Sequence, residues 1–165
     1  MVTIHPGIVF INIFDKFLQM DIYKDQYTIS TQKEKLNSEY IQRFLSKSYW
    51  AEDIPVEIVQ KSIEHSMCFG VYENEKQIGF ARVITDYTTF GYIADVFIDE
   101  NYRGRGLSKW LMECIMNHPL LQGFRVWQLS TQDAHGLYAQ FGFIIPEDPK
   151  RLMRKVVSGI YKKKN

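Results

Sequence analysis

The strongest constraint on the fold of this chain is a short stretch in which an apolar strand leads through a glycine turn into a helix. Residues 91–98 are apolar enough to form a strand, and a polar turn follows them. Gly104 and Gly106 then precede a segment whose apolar side chains recur at helical spacing. Glycine lets consecutive backbone N–H groups point outward, and a helix start adds a partial positive charge. The stretch therefore predicts a binding site for a diphosphate group.

The residues around the two glycines narrow down the kind of phosphate site. Arg103 and Arg105 would add charged donors for the same anion. A Walker loop requires Gly-Lys-Ser/Thr, whereas Leu107 and Ser108 follow the second glycine here. A dinucleotide fingerprint requires a third glycine at the position of Lys109. Neither of these two nucleotide-binding motifs is therefore present.

The segment resembles the acetyl-CoA loop of the GCN5-related N-acetyltransferases, whose pattern is Gln/Arg-x-x-Gly-x-Gly/Ala. Residues 103–108 read Arg-Gly-Arg-Gly-Leu-Ser, with serine where glycine or alanine is usual. A second landmark of the family, a Leu-Tyr-x-x-Leu/Phe-Gly-Phe helix exit, is similar to residues 137–143, Leu-Tyr-Ala-Gln-Phe-Gly-Phe. Because the two landmarks stand in the family's order with a predicted strand between them, the chain is identified as a member of this superfamily over residues 27–157.

The resemblance implies which residues hold acetyl-CoA. Backbone groups at the end of the strand would pair with the pantetheine arm, the loop would hold the diphosphate, and Thr131 stands where the family often has a cofactor-contacting asparagine. The implied cofactor-binding residues are Val96, Phe97, Ile98, Arg103, Gly104, Arg105, Gly106, Leu107, Ser108 and Thr131.

Tyr138 is the predicted general acid. A tyrosine hydroxyl has an ordinary pKa near 10, so at neutral pH it keeps a proton that a departing thiolate can accept. Tyr138 shares a helical stripe with Leu137 and Phe141, and that position alone is typical of a core tyrosine. The resemblance favours the catalytic role, because this tyrosine is commonly the general acid in the family.

Asp95 has two interpretations that the sequence leaves open. It interrupts an apolar strand, and a carboxylate in such a place needs a partner. If the turn near residues 87–90 closes a hairpin, Asp95 lies roughly opposite Arg82, which predicts a structural ion pair. In the second interpretation Asp95 is catalytic and receives or relays the proton of the attacking amine.

Composition excludes several classes of partner. Twenty basic and nineteen acidic residues leave a net charge of +1, which favours neither nucleic acid nor an anionic membrane. The four histidines lack the spacing of metal ligands, so no metal is expected. Two cysteines cannot build a disulfide framework, which favours a reducing, cytoplasmic location.

The order of predicted elements is strand, two helices, three strands, helix, strand, helix and strand. This order indicates an α/β sandwich with one mixed β-sheet flanked by helices, and the resemblance implies the acyl-CoA N-acyltransferase fold. The last two strands are predicted over residues 125–131 and 151–157, with Asp133 as the cap of the helix between them.

The two ends of the chain lie outside the resemblance. Residues 1–26 are expected to form an extension that packs on the domain or on a second subunit, giving a homodimer, and Met20 is an alternative start. The apolar run at 8–14 is too short to span a bilayer, so no membrane association is expected. Residues 158–165 form a basic tail.

The chemistry implied by the resemblance is acetyl transfer from acetyl-CoA, a co-substrate, to an amine in a ternary complex. A small-molecule amine is favoured over a protein amine because the chain is compact and shows no recognition domain. The alternative is a catalytically weak acyl-CoA-binding or regulatory module. Tyr49 and Trp50, between the first two helices, would either cover the acceptor site or pack into the core.

Overall fold

The computed structural model describes residues 17–162. Its strands are β1 Asp21–Lys24, β2 Tyr27–Ser30, β3 Met67–Glu73, β4 Lys76–Thr85, β5 Phe90–Ile98 and β6 Val126–Gln128. Its α-helices are α1 Ser38–Leu45, α2 Val56–Glu64, α3 Leu107–Met116 and α4 His135–Ala139. Single 3-10 turns cover Lys33–Lys35, Glu100–Tyr102, Pro119–Leu121 and Pro149–Arg151.

The six strands form one sheet in the order of the sequence. Strands β1 to β5 are antiparallel neighbours, and β6 joins β5 in parallel. A parallel pair needs a crossover, and α3 supplies it between β5 and β6. The predicted fold class, a mixed sheet flanked by helices in a single domain, is confirmed.

Helices cover both faces of the sheet. On one face, α1 and α2 pack Ile41 and Ile63 against Phe80 and Phe97. On the other face, α3 buries the side chains that the helical spacing predicts: Leu107, Trp110, Leu111, Cys114 and Ile115. Because helices bury both of their faces, the central strands have mostly apolar side chains. This close-packed core is rigid enough to position a site.

Strands β5 and β6 are paired along only a short distance. Their register runs from Phe90 opposite Val126 to Tyr92 opposite Gln128 and then stops, because β6 ends there. Strand β6 is thus shorter than the predicted strand over residues 125–131. Beyond this point β5 continues to Ile98, and the sheet opens into a cleft on that side of β5.

The strand predicted over residues 151–157 is wrong. Pro149–Arg151 is a single 3-10 turn and residues 152–157 have no regular structure. The apolar side chains there, such as Leu152 and Val156, are exposed, so no burial stabilises a strand. Asp133 is not the helix cap either, since α4 has Ala134 at that position.

The sheet begins at Asp21, within the segment that the sequence places before the domain. The apolar run at 8–14 and residues 163–165 lie outside the described residues.

Candidate active site

The opening between β5 and β6 is a cleft of about 1100 Å³. The loop after α1, the loop after β6 and helix α4 complete its walls. The predicted site residues that line it are Asp95, Val96, Phe97, Ile98, Arg103, Ser108, Thr131 and Tyr138. The structure therefore brings eight of the twelve predicted site residues to one cleft, whereas Gly104, Arg105, Gly106 and Leu107 do not line it.

The glycine loop lies at one end of this cleft with its amides free. Gly104 and Gly106 have φ angles of +77° and +74°, a left-handed conformation that glycine adopts without strain. Gly106 is the N-cap of α3. None of the backbone N–H groups from 104 to 109 donates a hydrogen bond within the described part of the chain. Such a run of unpaired amides at a helix start can bind an anion.

The two loop arginines face different ways. Arg103 lines the cleft, where its Nε donates to the carbonyl of Ile98 at 3.4 Å. Arg105 turns toward β2 and donates to the hydroxyl of Tyr27 at 3.0 Å, with its guanidinium 4.9 Å from the centre of the Tyr102 ring. Arg105 therefore stabilises the conformation of the loop and does not line the cleft.

Leu107 and Ser108, the remaining loop residues, occupy different environments. Leu107 is buried in the core beneath the loop, so its side chain belongs to the packing of α3. Ser108 is half-buried and lines the cleft. Its hydroxyl adds a donor beside the free amides.

A β-bulge interrupts β5 in the wall of the cleft. Arg82 of β4 is opposite Ala94 and Phe80 is opposite Phe97, so two residues of β5 face one residue of β4. Asp95 takes the left-handed conformation at this bulge, with a φ of +55°. The bulge redirects the backbone of the residues 95–96 at the open edge of the sheet.

The carboxylate of Asp95 is held by two donors. The Nε of Arg82 donates to Oδ2 at 2.5 Å, and the indole N–H of Trp50 donates to Oδ1 at 3.2 Å. Arg82 also donates to the hydroxyl of Ser66 at 3.2 Å. Both charged side chains are mostly buried, with 17% of Arg82 and 10% of Asp95 exposed. The structure thus contains the ion pair of the first interpretation of Asp95.

Tyr138 lies at the junction of the core and the cleft. It packs within the core under α3 and also lines the cleft, with 8% of the residue exposed. Burial raises the pKa of its hydroxyl to about 12, and nearby Tyr49 and Asp133 act in the same direction. The hydroxyl therefore stays protonated across the neutral and mildly alkaline range. Its two predicted environments, core and site, are both present.

Thr131 holds the start of the loop before α4. Its Oγ1 accepts a hydrogen bond from the backbone N–H of Ala134 at 3.0 Å, and the residue lines the cleft. The hydroxyl proton of Thr131 remains available to a bound molecule.

Tyr49 and Trp50 cover the cleft and do not enter the core. They are 52% and 44% exposed, and their rings meet edge to face with centroids 4.9 Å apart. The backbone N–H of Gln132 donates to the Tyr49 hydroxyl at 3.1 Å. The aromatic pair therefore spans from the β5 bulge to the loop after β6.

Tyr40 is a site residue that the sequence did not reveal. It lines the cleft from α1, and its hydroxyl is buried beside the Asp99 carboxylate. Burial, and then the neighbouring Asp99 carboxylate, raise its pKa, so it stays a neutral donor. In the sequence Tyr40 belongs to the apolar stripe of α1, and no local signal separates it from core residues.

Residues 17–162 include both cysteines of the chain. No group of three His, Cys, Asp or Glu side chains there could hold a metal ion, and no helix in that range is long and apolar enough to cross a membrane. Burial raises the pKa of Cys68 to about 12 and that of Cys114 to about 11, so neither thiol is an activated nucleophile.

Comparison with known proteins identifies the class. The profile of the acetyltransferase (GNAT) family matches residues 22–143. A candidate acetyltransferase of Gibberella zeae, FG08082, is 32% identical over 136 residues, which cover 68% of this chain and 76% of that protein. The chain belongs to the GNAT acetyltransferase family.

Two solved structures extend the comparison. A candidate GNAT acetyltransferase from Xanthomonas campestris pv. campestris is 48% identical, with a TM-score of 0.81, over 84% of this chain and 99% of that one. A candidate acetyltransferase from Clostridium acetobutylicum, whose crystal structure contains acetyl-CoA, shares the fold with a TM-score of 0.56 at 13% identity, over 74% of this chain and 91% of that one.

Proposed function

We propose that this protein transfers the acetyl group of acetyl-CoA to the amine of a small molecule, by direct attack in a ternary complex. One observation carries the proposal: two groups meet at one cleft, the unpaired amides of the glycine loop, whose Arg103 and Ser108 line it, and the protonated hydroxyl of Tyr138. The first group suits a diphosphate and the second suits a thiolate. A molecule that has both groups, separated by a long flexible arm, is coenzyme A.

Polar atoms without partners support the fit of acetyl-CoA to this cleft. The loop amides are exposed and have no partner among the described residues, so they can bind a diphosphate, and the buried Tyr40 hydroxyl lines the same cleft beside the Asp99 carboxylate. The diphosphate would lie on residues 104–108, with Arg103 and Ser108 at its side. The pantetheine arm would run along the unpaired edge of Val96, Phe97 and Ile98, and Thr131 would offer its hydroxyl from the opposite wall.

The bulge supports activation of the thioester. Acyl transfer places negative charge on the carbonyl oxygen, and a fixed backbone N–H beside that oxygen stabilises the transition state. We assign this part to the Val96 amide, which lies at the bulge on the open edge of β5. The amine nitrogen bonds to the carbonyl carbon and loses a proton to solvent, while the carbon–sulfur bond breaks.

Tyr138 would protonate the departing sulfur, and the resulting tyrosinate would regain a proton from solvent after coenzyme A leaves. Its pKa of about 12 keeps the proton on the hydroxyl until a thiolate approaches. The high pKa values of Cys68 and Cys114 support transfer without a covalent enzyme intermediate. Both cysteines are buried free thiols, which supports the proposed cytoplasmic location.

The acceptor amine would enter beneath the aromatic pair formed by Tyr49 and Trp50. On the same face of the sheet, Ile84 lies opposite Tyr92 across β4 and β5, and both line the cleft. Ile84 is 42% exposed, so an apolar floor meets an aromatic cover. A confined space of this kind favours a small molecule over a protein chain.

The proposal is tested by binding and turnover measured separately. Calorimetry with coenzyme A tests the cleft, and release of free thiol from acetyl-CoA across a panel of amines tests transfer. The expected result is saturable binding and thiol release that depends on one class of amine. Tight binding without amine-dependent release would support the alternative, a binding or regulatory module. If coenzyme A does not bind at millimolar concentration, both functions are excluded.

A further inference from the structure

We propose that Trp50 is a positioning residue, which acts through Asp95 on the β5 bulge and so links the aromatic cover of the cleft to the acyl-activating backbone. The inference rests on the proposed function, because it concerns how the Val96 amide is oriented toward a thioester. It also assigns Asp95 to the same positioning role and not to proton transfer.

The bulge needs side-chain contacts that stabilise it. Asp95 has a φ of +55°, in the left-handed region, which a residue with a side chain adopts less readily than glycine does. A bulge also leaves part of the backbone ladder unpaired. An unsupported bulge at this point would relax toward regular pairing with β4, and the Val96 amide would then turn toward the ladder.

The Asp95 side chain makes these contacts. Arg82 of β4 donates to one of its oxygens at 2.5 Å, and Trp50 donates to the other at 3.2 Å. The two donors approach from different elements, one within the sheet and one from the loop over the cleft. Because both oxygens are engaged and only 10% of the side chain is exposed, an amine has little direct access to the Asp95 carboxylate.

Trp50 is the part of this arrangement that an acceptor can reach. It is 44% exposed, lies in the loop between α1 and α2, and contacts Tyr49 edge to face. Tyr49 in turn is anchored on the opposite wall through the backbone N–H of Gln132. An acceptor bound under this pair would contact the Trp50 indole, whose N–H is hydrogen-bonded to Asp95 at the bulge. Acceptor binding and thioester activation are thereby coupled through a single hydrogen bond.

The first experiment removes that donor and keeps an aromatic ring. Trp50→Phe is expected to lower kcat by about five- to fiftyfold, less than the loss of a whole oxyanion donor, and to leave the affinity for coenzyme A within about twofold. The matched control is Tyr23→Phe, which removes an exposed hydroxyl that donates to Asp21 at 3.4 Å, far from the cleft in β1. Tyr23→Phe is expected to leave kcat and the affinity for coenzyme A unchanged. Equal kcat in Trp50→Phe and wild type would overturn the proposal.

The second experiment separates positioning from proton transfer. Asp95→Asn loses the charge and leaves one acceptor oxygen where Arg82 and Trp50 now use two, so the link between them is broken. If Asp95 positions the bulge, the double variant Trp50→Phe/Asp95→Asn is no slower than the slower single variant within about twofold, since both act through one link. If Asp95→Asn instead abolishes turnover and removes the acidic limb of the pH profile of kcat, Asp95 is the base and the inference is wrong.

The third measurement does not depend on turnover. The chain has three tryptophans, so its indole N–H signals are resolvable by NMR, and Trp50→Phe assigns the one in question. That signal is expected to shift in Asp95→Asn and to exchange faster with solvent, whereas it stays unchanged in Tyr23→Phe. An unmoved signal would show that the bond is not formed. Loss of coenzyme A binding by the wild type, in contrast, would defeat the proposed function and leave this result intact.

Discussion

The guanidinium of Arg105 donates to the hydroxyl of Tyr27 at 3.0 Å, joining the glycine loop to a strand 78 positions earlier in the chain. The same guanidinium donates to the carbonyl of Asn101 at 3.1 Å and lies over the ring of Tyr102. These contacts occupy the side chain on the face of the loop away from the cleft. Arg105 therefore fixes the shape of the loop, whereas Arg103 is the loop arginine that lines the cleft.

Tyr27→Phe is expected to weaken coenzyme A binding by about two- to fivefold, because one hydrogen bond to a largely exposed cation contributes modestly. The loop keeps its contact with Tyr102 and stays folded. Calorimetry measures the dissociation constant, and Tyr23→Phe in the neighbouring strand β1 is the control. An unchanged dissociation constant for Tyr27→Phe would show that the brace has no part in binding.

Gly106→Val is expected to raise the dissociation constant of coenzyme A by at least about tenfold, since a β-branched residue resists a φ of +74°. A Cβ at this position meets nothing within 4 Å, so the free protein has room for it. The bound diphosphate would occupy that same open space.

The matched control for the loop is Gly136→Ala. Gly136 lies in α4, lacks a positive φ, and also has open space around a new Cβ. Alanine there should leave binding unchanged and stabilise the fold by up to about 1 kcal/mol. If both variants weaken binding equally, the conformation of the glycine loop is not what holds the cofactor.

Much of the fold could be predicted because it depends on local patterns. The apolar run over residues 91–98 predicts β5, which the structure bounds at Phe90–Ile98, and the spacing behind Gly106 predicts the buried face of α3. The ion pair of Arg82 and Asp95 follows from a hairpin register. Each of these features is set by residues that are close in sequence or directly opposite in adjacent strands.

The rest depends on contacts between distant residues. Trp50 and Asp95 are 45 positions apart, and no spacing rule relates an indole in a loop to a bulge in a strand. The predicted strand over residues 151–157 is wrong because a distant partner is missing among residues 17–162. Its composition suits a strand, but Leu152 and Val156 find no neighbouring strand or buried face in the described fold.

Tyr138→Phe is expected to lower kcat by about tenfold or more while the affinity for coenzyme A stays nearly the same. Because burial raises the pKa of Tyr138 to about 12, the acid stays protonated well above neutral pH. The wild-type rate should therefore rise with pH as the acceptor amine loses its proton, with no alkaline decline near pH 10. Stopped thiol-release assays from pH 6 to 10 measure both effects. A decline centred near pH 10 would mean an ordinary, exposed tyrosine.

Tyr72→Phe is expected to stabilise the protein by about 1 kcal/mol, because the hydroxyl of Tyr72 is buried without a hydrogen-bond partner among the described residues. Tyr72 belongs to β3 and does not line the cleft, so turnover should be unchanged. Urea unfolding followed by tryptophan fluorescence gives the free energy of unfolding. A loss of stability would show that the hydroxyl has a partner in solution.

The stability of the protein is expected to fall steeply on the alkaline side. Burial raises the pKa of the Tyr40, Tyr72 and Tyr138 hydroxyls and of the Cys68 and Cys114 thiols in the folded state. In the unfolded chain the same groups titrate near 8.5 for cysteine and near 10 for tyrosine, so above those pH values the unfolded state binds fewer protons than the folded state. Stability must then decrease with pH, by up to about 1.4 kcal/mol per pH unit for each group.

The expected profile is flat from pH 7 to 8, begins to fall near pH 9 and steepens above pH 10. Urea unfolding at fixed ionic strength measures it, and Tyr72→Phe should lessen the slope above pH 10 by the share of one tyrosine, about 1.4 kcal/mol per pH unit at most. Stability falls with pH, and does not rise, because these groups have a higher pKa in the folded state. Above the pKa of the unfolded chain, the folded state therefore binds more protons than the unfolded state. A stability that stays constant to pH 11 would mean that these side chains are open to solvent.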